Sequence, residues 1–495
     1  MSSGLAAAPF LGCQPDAPVA YSDLDAAAPD FSALQSALNG DLLLPEHPTF
    51  AQAAQTFHTR FDAVQPRAIA RCADAADVQA CVRWAQKYRF PVRIRAGGHS
   101  YAGFCKDSAA LVIDVRKLNQ VTLNSQLTQL KIGAGALTID AQAQLWPNNL
   151  ALPTGSCPTV GMAGLTLGGG YGLIARRFGL TCDALLAVDM VLATGENVTC
   201  NSVQNPDLYW ASRGGGGGNF GVVTAFTYAV VSVSGATNFS LTWPWSEAAR
   251  VLKAWQQWAP QTAAELTAEC QLFAGSYVGA TPRITVGGGF LGTPAELASL
   301  LAELYGLGAG KPLEESVDTG SYGAIARQWV DCDGVVGHCH LKNRSPEGQV
   351  ARETYVAKSD YVKNPLPDAA LEKIIAALEA RVGSDHIAGI QFAPYGGAIA
   401  QIPATATAFV HRDALFVMQY LAFGAEGSPL GGEKNWLENV YQALRPYVSG
   451  QAYQNYVDPG LEHWREAYYG ENLQRLQALK AKYDPTRFFD FAQAI

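Results

Sequence analysis

The sequence predicts an α+β protein in two domains, the second of them a sheet covered by helices. Three observations predict it. At 495 residues the chain has mass for more than one core. Up to about residue 235, glycine-rich turns interrupt short runs of β-branched and aromatic residues. Beyond that point the texture changes, and segments with helical spacing alternate with strand-like runs.

The elements follow in chain order. After a Pro- and Ala-rich lead, DAADVQACVRWAQKY (74–88) sets Val78, Cys81, Val82 and Ala85 at helical spacing. FPVRIRA reads as a strand feeding the turn GGHS (97–100). ALVIDV (110–115) and LTQLKIGAG (127–135) read as strands, and LTIDAQAQLWPNN as a helix. LPTGSCPTVGMAGLTLGGGYG (152–172) is read as a glycine-rich turn region, and WASRGGGGGNFG runs into the strand VVTAFTYAVV. In the second region, EAARVLKAWQQWA and DAALEKIIAALEARV are helices, while PRITVGGGFLG, IAGIQFAPYGG and ALFVMQYLAFG are strands. The tail from Tyr453 reads as a tight turn, a helix and an aromatic end.

Composition removes several function classes. Basic residues number 35 against 43 acidic ones, and the net charge of −8 is spread without a basic run, which argues against nucleic acid as a partner. No stretch approaches the ~20 apolar residues that a membrane helix needs. The first basic residue is Arg60, so the cationic start of a leader is missing, while LAAAPFLGC (5–13) echoes a processed secretory end. The expectation is a secreted or periplasmic monomer whose leader is absent, with a cytoplasmic protein as the alternative. Ten cysteines are too dilute for a disulfide scaffold. CDGVVGHCH (332–340) offers two Cys and two His but no recognised zinc spacing, so it reads as a local loop closed by a disulfide and not as a metal site.

The glycines carry the first functional signal. Gly216, Gly218 and Gly221 match G-x-G-x-x-G, a pattern that in a dinucleotide-binding unit opens a helix; here it opens a strand, and the Rossmann reading fails. Glycines that let backbone N–H groups approach a phosphate-bearing ligand fit better. Gly97 and Gly98, and Gly161, Gly164, Gly168, Gly169 and Gly170, extend the argument to three turns that together suit an elongated cofactor cradle. His99 alone reads as a satisfied turn histidine and Cys157 alone as an inert thiol, since nothing nearby in sequence lowers its pKa. Their shared setting changes both readings.

RAGGHSYAG, GSCPTVGMAGLTLGGGYG, DLYWASRGGGGGNFGVVTAF and the terminal YQNYVDP…YYGENLQRLQALKAKYDPTRFF strongly resemble the berberine bridge enzyme family. These are flavoproteins of the vanillyl-alcohol oxidase class, a group that includes oligosaccharide oxidases. The resemblance spans nearly the whole chain and is densest from about 65 to 230 and from 450 onward. It implies a FAD domain over 1–235, an antiparallel-sheet substrate domain over 236–439, and a segment 440–495 returning to the FAD domain. It also implies FAD joined covalently through His99 to the 8α carbon and through Cys157 to ring carbon 6. The remaining cofactor contacts implied are Arg95, Gly97, Gly98, Ser100, Val160, Gly161, Gly164, Gly169, Gly170, Gly221, Val223 and Asn455. Val160, three residues after Cys157, falls where family members control the access of dioxygen to the reduced flavin, and valine resembles the permissive type.

The same matching places Tyr101 and Tyr171 at the flavin face, Tyr453 as the catalytic base and Gln419 beside it. Gln391 and Gln271 would line the substrate groove. A tyrosine base needs help, because its unperturbed pKa is ~10. Oligosaccharide oxidases of the family use an acid on a neighbouring strand, and matching IQFAPYGG to it puts Ala393 where that acid would sit. Trp146, Trp243, Trp255 and Trp258 are candidates for stacking on sugar rings or for the core. The function implied is an oxidase taking an alcohol or sugar hemiacetal to carbonyl or lactone, with hydrogen peroxide as by-product. The alternative is oxidative cyclisation or dehydrogenation of a phenolic, alkaloid-like or polyketide metabolite. A flavin-free binding protein on the same scaffold is disfavoured, because His99, Cys157 and Tyr453 are all intact.

Overall fold

The structure is a computed structural model that describes residues 29–275, 282–330, 332 and 335–495. The amino-terminal stretch read for a processed leader, with Cys13, lies outside the described residues. Four short strands open the fold: β1 (Asp41–Leu43), β2 (Ala68–Arg71), β3 (Val92–Arg95) and β4 (Leu111–Asp114). They form a sheet of order β1-β2-β4-β3, in which β2 and β3 both run parallel to β4. Next come β5 (Val121–Leu123), β6 (Gln129–Gly133), β7 (Leu150–Ala151), β8 (Leu185–Val191), β9 (Asn197–Asn201) and β10 (Val222–Ala229). All but β7 make a five-stranded antiparallel sheet, β5-β6-β10-β8-β9, and β7 pairs with β11 (Val231–Ser232).

One core unites these layers. Val78, Cys81, Val82 and Ala85, the predicted inner face of helix Ala75–Tyr88, pack with Ile113, Ile132, Val188 and Phe226. Asp74 caps that helix by accepting from the Asp77 N–H, and Arg89 ends it in the left-handed region. Trp464, Tyr468 and Leu476 belong to the same core, so the carboxyl-terminal helices pack back onto the start of the chain.

The second core backs a seven-stranded sheet of β12 (Gly235–Pro244), β13 (Leu266–Ala274), β14 (Arg283–Phe290), β15 (Glu314–Ser321), β16 (Tyr355–Val362), β17 (Ala388–Pro394) and β18 (Phe416–Phe423). Its order is β15-β12-β14-β13-β17-β18-β16, antiparallel throughout. Strand alternation assigns the faces. Leu266, Ala268, Cys270 and Leu272, then Ile390 and Phe392, then Met418 and Tyr420, enter the core beneath helices Ala248–Trp258, Asp368–Glu379 and Gly431–Leu444. Glu269, Gln271, Gln391 and Gln419 take the opposite face. The α+β fold with an antiparallel sheet covered by helices is therefore as expected.

One local reading changes. The segment after Cys157 is not turn throughout, because Met162–Leu167 forms a helix whose Met162, Ala163, Leu165 and Leu167 are buried. Gly164 in that helix has open space where its Cβ would be, so the helix surface there is bare. Trp243, Trp255 and Trp258 lie in the second core, leaving none of them for a ligand. Cys332 and Cys339 are joined in a disulfide that closes their loop.

Candidate active site

A cavity of about 710 Å³ lies between the glycine turns of the first region and the free face of the seven-stranded sheet. The two turns that carry His99 and Cys157 meet backbone to backbone. A Cβ on Gly97 would lie 2.3 Å from the Gly161 nitrogen, and one on Gly161 would lie 2.4 Å from the Gly97 nitrogen. Only glycine at both positions permits that approach. Gly98, at φ +76°, turns the chain so that the next side chain, His99, faces the cavity.

The Cys157 turn is clamped to the start of helix Thr138–Leu145. The Thr138 hydroxyl donates to the Cys157 carbonyl at 2.6 Å, the Thr138 N–H donates to the Val160 carbonyl at 2.9 Å, and the Met162 N–H donates to the Ala136 carbonyl at 3.0 Å. His99 stacks on Phe57 with ring centroids 4.0 Å apart. As a result the two side chains converge: His99 Nε2 lies 2.8 Å from the Thr159 hydroxyl, and Cys157 Sγ lies 3.6 Å from the same oxygen. Burial lowers the His99 imidazole to about 3, so it stays neutral with a lone pair available. Burial likewise pushes the Cys157 thiol up, partly opposed by hydrogen bonds from Thr159.

Across from these anchors stands a row of amides. Gln271 on β13 pairs in register with Gln391 on β17, which pairs with Gln419 on β18. All three face the cavity. Gln419 Nε2 donates to the Tyr101 hydroxyl at 2.9 Å, tying the sheet to the His99 turn. Tyr101 in turn lies parallel to Tyr456, with centroids 5.5 Å apart and 6° between the planes. The Tyr456 and Tyr171 hydroxyls are 2.5 Å apart, and burial holds both phenols well above the usual tyrosine range.

Most of the expected residues share this wall: His99, Cys157, Gly97, Gly98, Ser100, Val160, Gly161, Gly164, Tyr101, Tyr171, Gln271, Gln391, Gln419, Tyr453 and Asn455. Five others do not reach it. Arg95 is buried against Asp114 at 2.7 Å, where it secures β3 to β4. Gly169 lies against Phe409, and the Gly170 N–H is spent on the Tyr453 hydroxyl at 2.9 Å. Gly221 sits under the Val191 carbonyl, and Val223 is a core residue of β10. Tyr453 itself is only 2 % exposed, and its oxygen accepts from both Gly170 N–H and Asn455 Nδ2 (3.0 Å).

The wall also holds residues that sequence reasoning passed over: Glu269, Tyr355, Tyr456 and Trp329. Glu269 had a signal, since it lies two residues before Gln271 and strand alternation puts both on one face. Farther along the wall, Gly216, Gly217 and Gly218 sit with Arg93, Ile94 and Phe491. Gly216 and Gly218 have φ of +84° and +79°, conformations that leave the backbone bare toward the cavity.

These features suit FAD. A neutral imidazole and a thiol converge at one place, and Gly164 leaves its helix surface open to the cavity. The Gly216–Gly218 turn supplies bare backbone along the same wall, as a dinucleotide's phosphates require.

Comparison with known proteins agrees. Residues 66–201 match the model of a FAD binding domain, and residues 452–495 match the berberine and berberine-like model. An uncharacterized FAD-linked oxidoreductase of Bacillus subtilis, YgaK, is 33% identical over 462 residues, covering 92% of this chain and 97% of its own. Among solved structures, Physcomitrella patens BBE-like 1 superposes with a TM-score of 0.84 at 29% identity, covering 94% of this chain and 98% of its own. A chitooligosaccharide oxidase does so with 0.83 at 27% identity, covering 94% and 98%. Berberine bridge enzyme-like 4 of Arabidopsis thaliana is 31% identical, covering 86% of this chain and 84% of its own. The protein is thus a FAD-dependent oxidoreductase, and the chain belongs to the berberine bridge enzyme family.

Proposed function

We propose that the protein is an oxidase of a sugar hemiacetal or a related alcohol, with its FAD held covalently through His99 and Cys157. The observation that carries the reading is the convergence of those two side chains on Thr159, opposite the amide row. When bound, the flavin accepts a hydride and passes the electrons to dioxygen, giving hydrogen peroxide. The chain's residues bind, orient and manage the proton. Gln271, Gln391 and Gln419 each offer a donor and an acceptor, which suits the vicinal hydroxyls of a sugar. The likeness to a chitooligosaccharide oxidase supports a sugar over a purely apolar substrate.

The substrate hydroxyl proton goes to the Tyr171–Tyr456 pair. Tyr453, the expected base, is recessed, and its oxygen already accepts two hydrogen bonds; Tyr171 and Tyr456 are half-buried, and both line the cavity. Tyr101, held by Gln419, positions Tyr456 through their parallel stack. Val160, on the cavity wall three residues after Cys157, leaves a small side chain at the point where dioxygen would enter.

The test has two parts. Acid-precipitated protein should stay yellow, His99→Ala and Cys157→Ala should each keep the colour through the remaining bond, and the double variant should lose it. A panel of mono- and oligosaccharides and simple alcohols should then release peroxide. Colour that washes out of the wild type would remove the covalent reading, and an absence of peroxide across the panel would remove the oxidase reading.

A further inference from the structure

We propose that Glu269 is the proton acceptor of substrate oxidation, taking the hydroxyl proton by way of the Tyr171–Tyr456 pair. The inference rests on the oxidase reading above and adds to it the group that ends the proton's path.

Among the described residues, the wall of the cavity contains two carboxylates. Asp490 is exposed and pairs with Arg487 at 3.0 Å. Glu269 projects from the middle of the sheet, and its partner is neutral: Gln271 Nε2 at 3.5 Å. Its strand neighbours leave room around it. Glu269 pairs in register with Gly287 on β14. Cys270 pairs with Phe392 on β17, so Glu269 lies across from Ala393, one step beyond the last paired residues. A carboxylate flanked by glycine and alanine can change rotamer and reach into the cavity. Position 393, where the family resemblance implied an acid, is thereby faced by an acid from the next strand.

The groups beside Glu269 on the sheet are Gln271 on its own strand, Thr285 and Gly287 on β14, and Gln391 and Ala393 on β17, while Tyr171 and Tyr456 from the first region line the same cavity. None is a cation. Burial raises its carboxyl to about 7, with the Gln271 hydrogen bond opposing. Its charge acts on both Tyr171 and Tyr456, raising each phenol. An ionised Glu269 therefore disfavours a standing phenolate, so a phenol passes its proton to the carboxylate only as it takes up the proton of the substrate.

The step balances. The substrate O–H bond breaks and its proton joins the phenol pair, while a proton of that pair moves to a Glu269 oxygen. The C–H bond breaks with its electron pair, which leaves as hydride to the bound FAD, so the substrate carbon is oxidised and the flavin reduced. On reoxidation, dioxygen takes the hydride equivalent and the proton from Glu269 and leaves as hydrogen peroxide.

The test uses the flavin-loaded protein and the anaerobic bleaching of its yellow colour by a substrate found in the panel. Because the acceptor works only when ionised, the wild-type rate should rise with pH through about 7 and level off above it. Glu269→Gln should abolish that rise and slow bleaching by about tenfold to a thousandfold at pH 8, and Glu269→Asp should restore part of the rate. Burial also raises Asp360 to about 7, so the readout is the difference between the infrared spectra of the wild type and Glu269→Gln. In it a protonated-carboxyl C=O stretch should be present at low pH and vanish near pH 7, with or without substrate. A Glu269→Gln protein that keeps the rise and the rate overturns the proposal, as does a carboxyl band that does not titrate near 7. A wild type that no substrate bleaches, its carboxyl band titrating as expected, overturns the oxidase reading and with it the acceptor role.

Discussion

At the scale of single residues, proton chemistry turns on which tyrosine of YQNY meets the substrate. The 3-10 turn Gln454–Tyr456 separates the two. Tyr453 backs onto Gly170 and Asn455, whereas Tyr456 lies over Tyr101 and touches the Tyr171 hydroxyl. Tyr456→Phe and Tyr171→Phe should each slow anaerobic flavin bleaching by ~10²- to 10⁴-fold, the usual range for a lost general base. Tyr453→Phe should instead leave the buried Gly170 N–H without its acceptor and cost about 1–3 kcal/mol of stability in a denaturant melt, with a smaller loss of rate. If Tyr453→Phe proves the slowest of the three, the assignment to the pair is wrong. The motif singled out Tyr453 and passed over Tyr456, because a spacing of three is compatible with either facing the cavity once the turn leaves regular helix. His99 and Cys157 each looked ordinary taken alone, and it was the family resemblance that singled them out; their convergence has a visible cause. Glycines on both turns permit the close approach, and the glycines are visible in the sequence.

At the scale of elements, the antiparallel sheet makes one wall of the cavity by strand alternation. One face of β13, β17 and β18 fills the core with Leu272, Ile390 and Met418, and the other presents Gln271, Gln391 and Gln419 in neighbouring register positions. The alternation was readable in each strand. The register was not, because nothing local in AECQLF, GIQFAP or VMQYL tells one strand which residue of the next it will meet. For the same reason Ala393 looked like a missing acid until the pairing set Glu269 across from it. Among the described residues the Gln391 side chain has no hydrogen-bond partner, unlike Gln419, which holds Tyr101, so Gln391→Ala tests binding with least disturbance. Loss of one or two hydrogen bonds at ~1 kcal/mol each should raise KM for a sugar about five- to thirtyfold while kcat changes little. An unchanged KM would mean that the amide row does not read the substrate.

At the scale of the molecule, the cavity exists because two independently cored regions are held against each other, and buried arginines do much of the holding. Arg176, on the short helix Ala175–Phe178 of the first region, is 2 % exposed and donates to the carbonyls of Pro260, Thr262, Ala263, Leu266 and Tyr395 in the second. Arg412, just ahead of β18, makes a two-pronged pair with Asp183 at 2.7 and 2.8 Å, both side chains being nearly inaccessible. Asp183 also accepts from the Leu180 N–H, so the pair fixes the loop that leads from the Gly170 turn to β8. Removing one member of such a pair leaves an uncompensated buried charge, at a cost of about 3–5 kcal/mol, whereas replacing both with neutral groups avoids much of it. Asp183→Asn and Arg412→Met should therefore each destabilise the protein strongly in chemical denaturation. The double variant should be less destabilised than the sum of the two, with a coupling of about 2 kcal/mol or more. Because the clamp ties the loop after the Gly170 turn to the segment that leads into β18, the strand of Gln419, the double variant should also keep its yellow colour yet show a raised KM. Additive losses in stability, or a KM that stays put, would mean that the cradle holds the two regions in place without this pair.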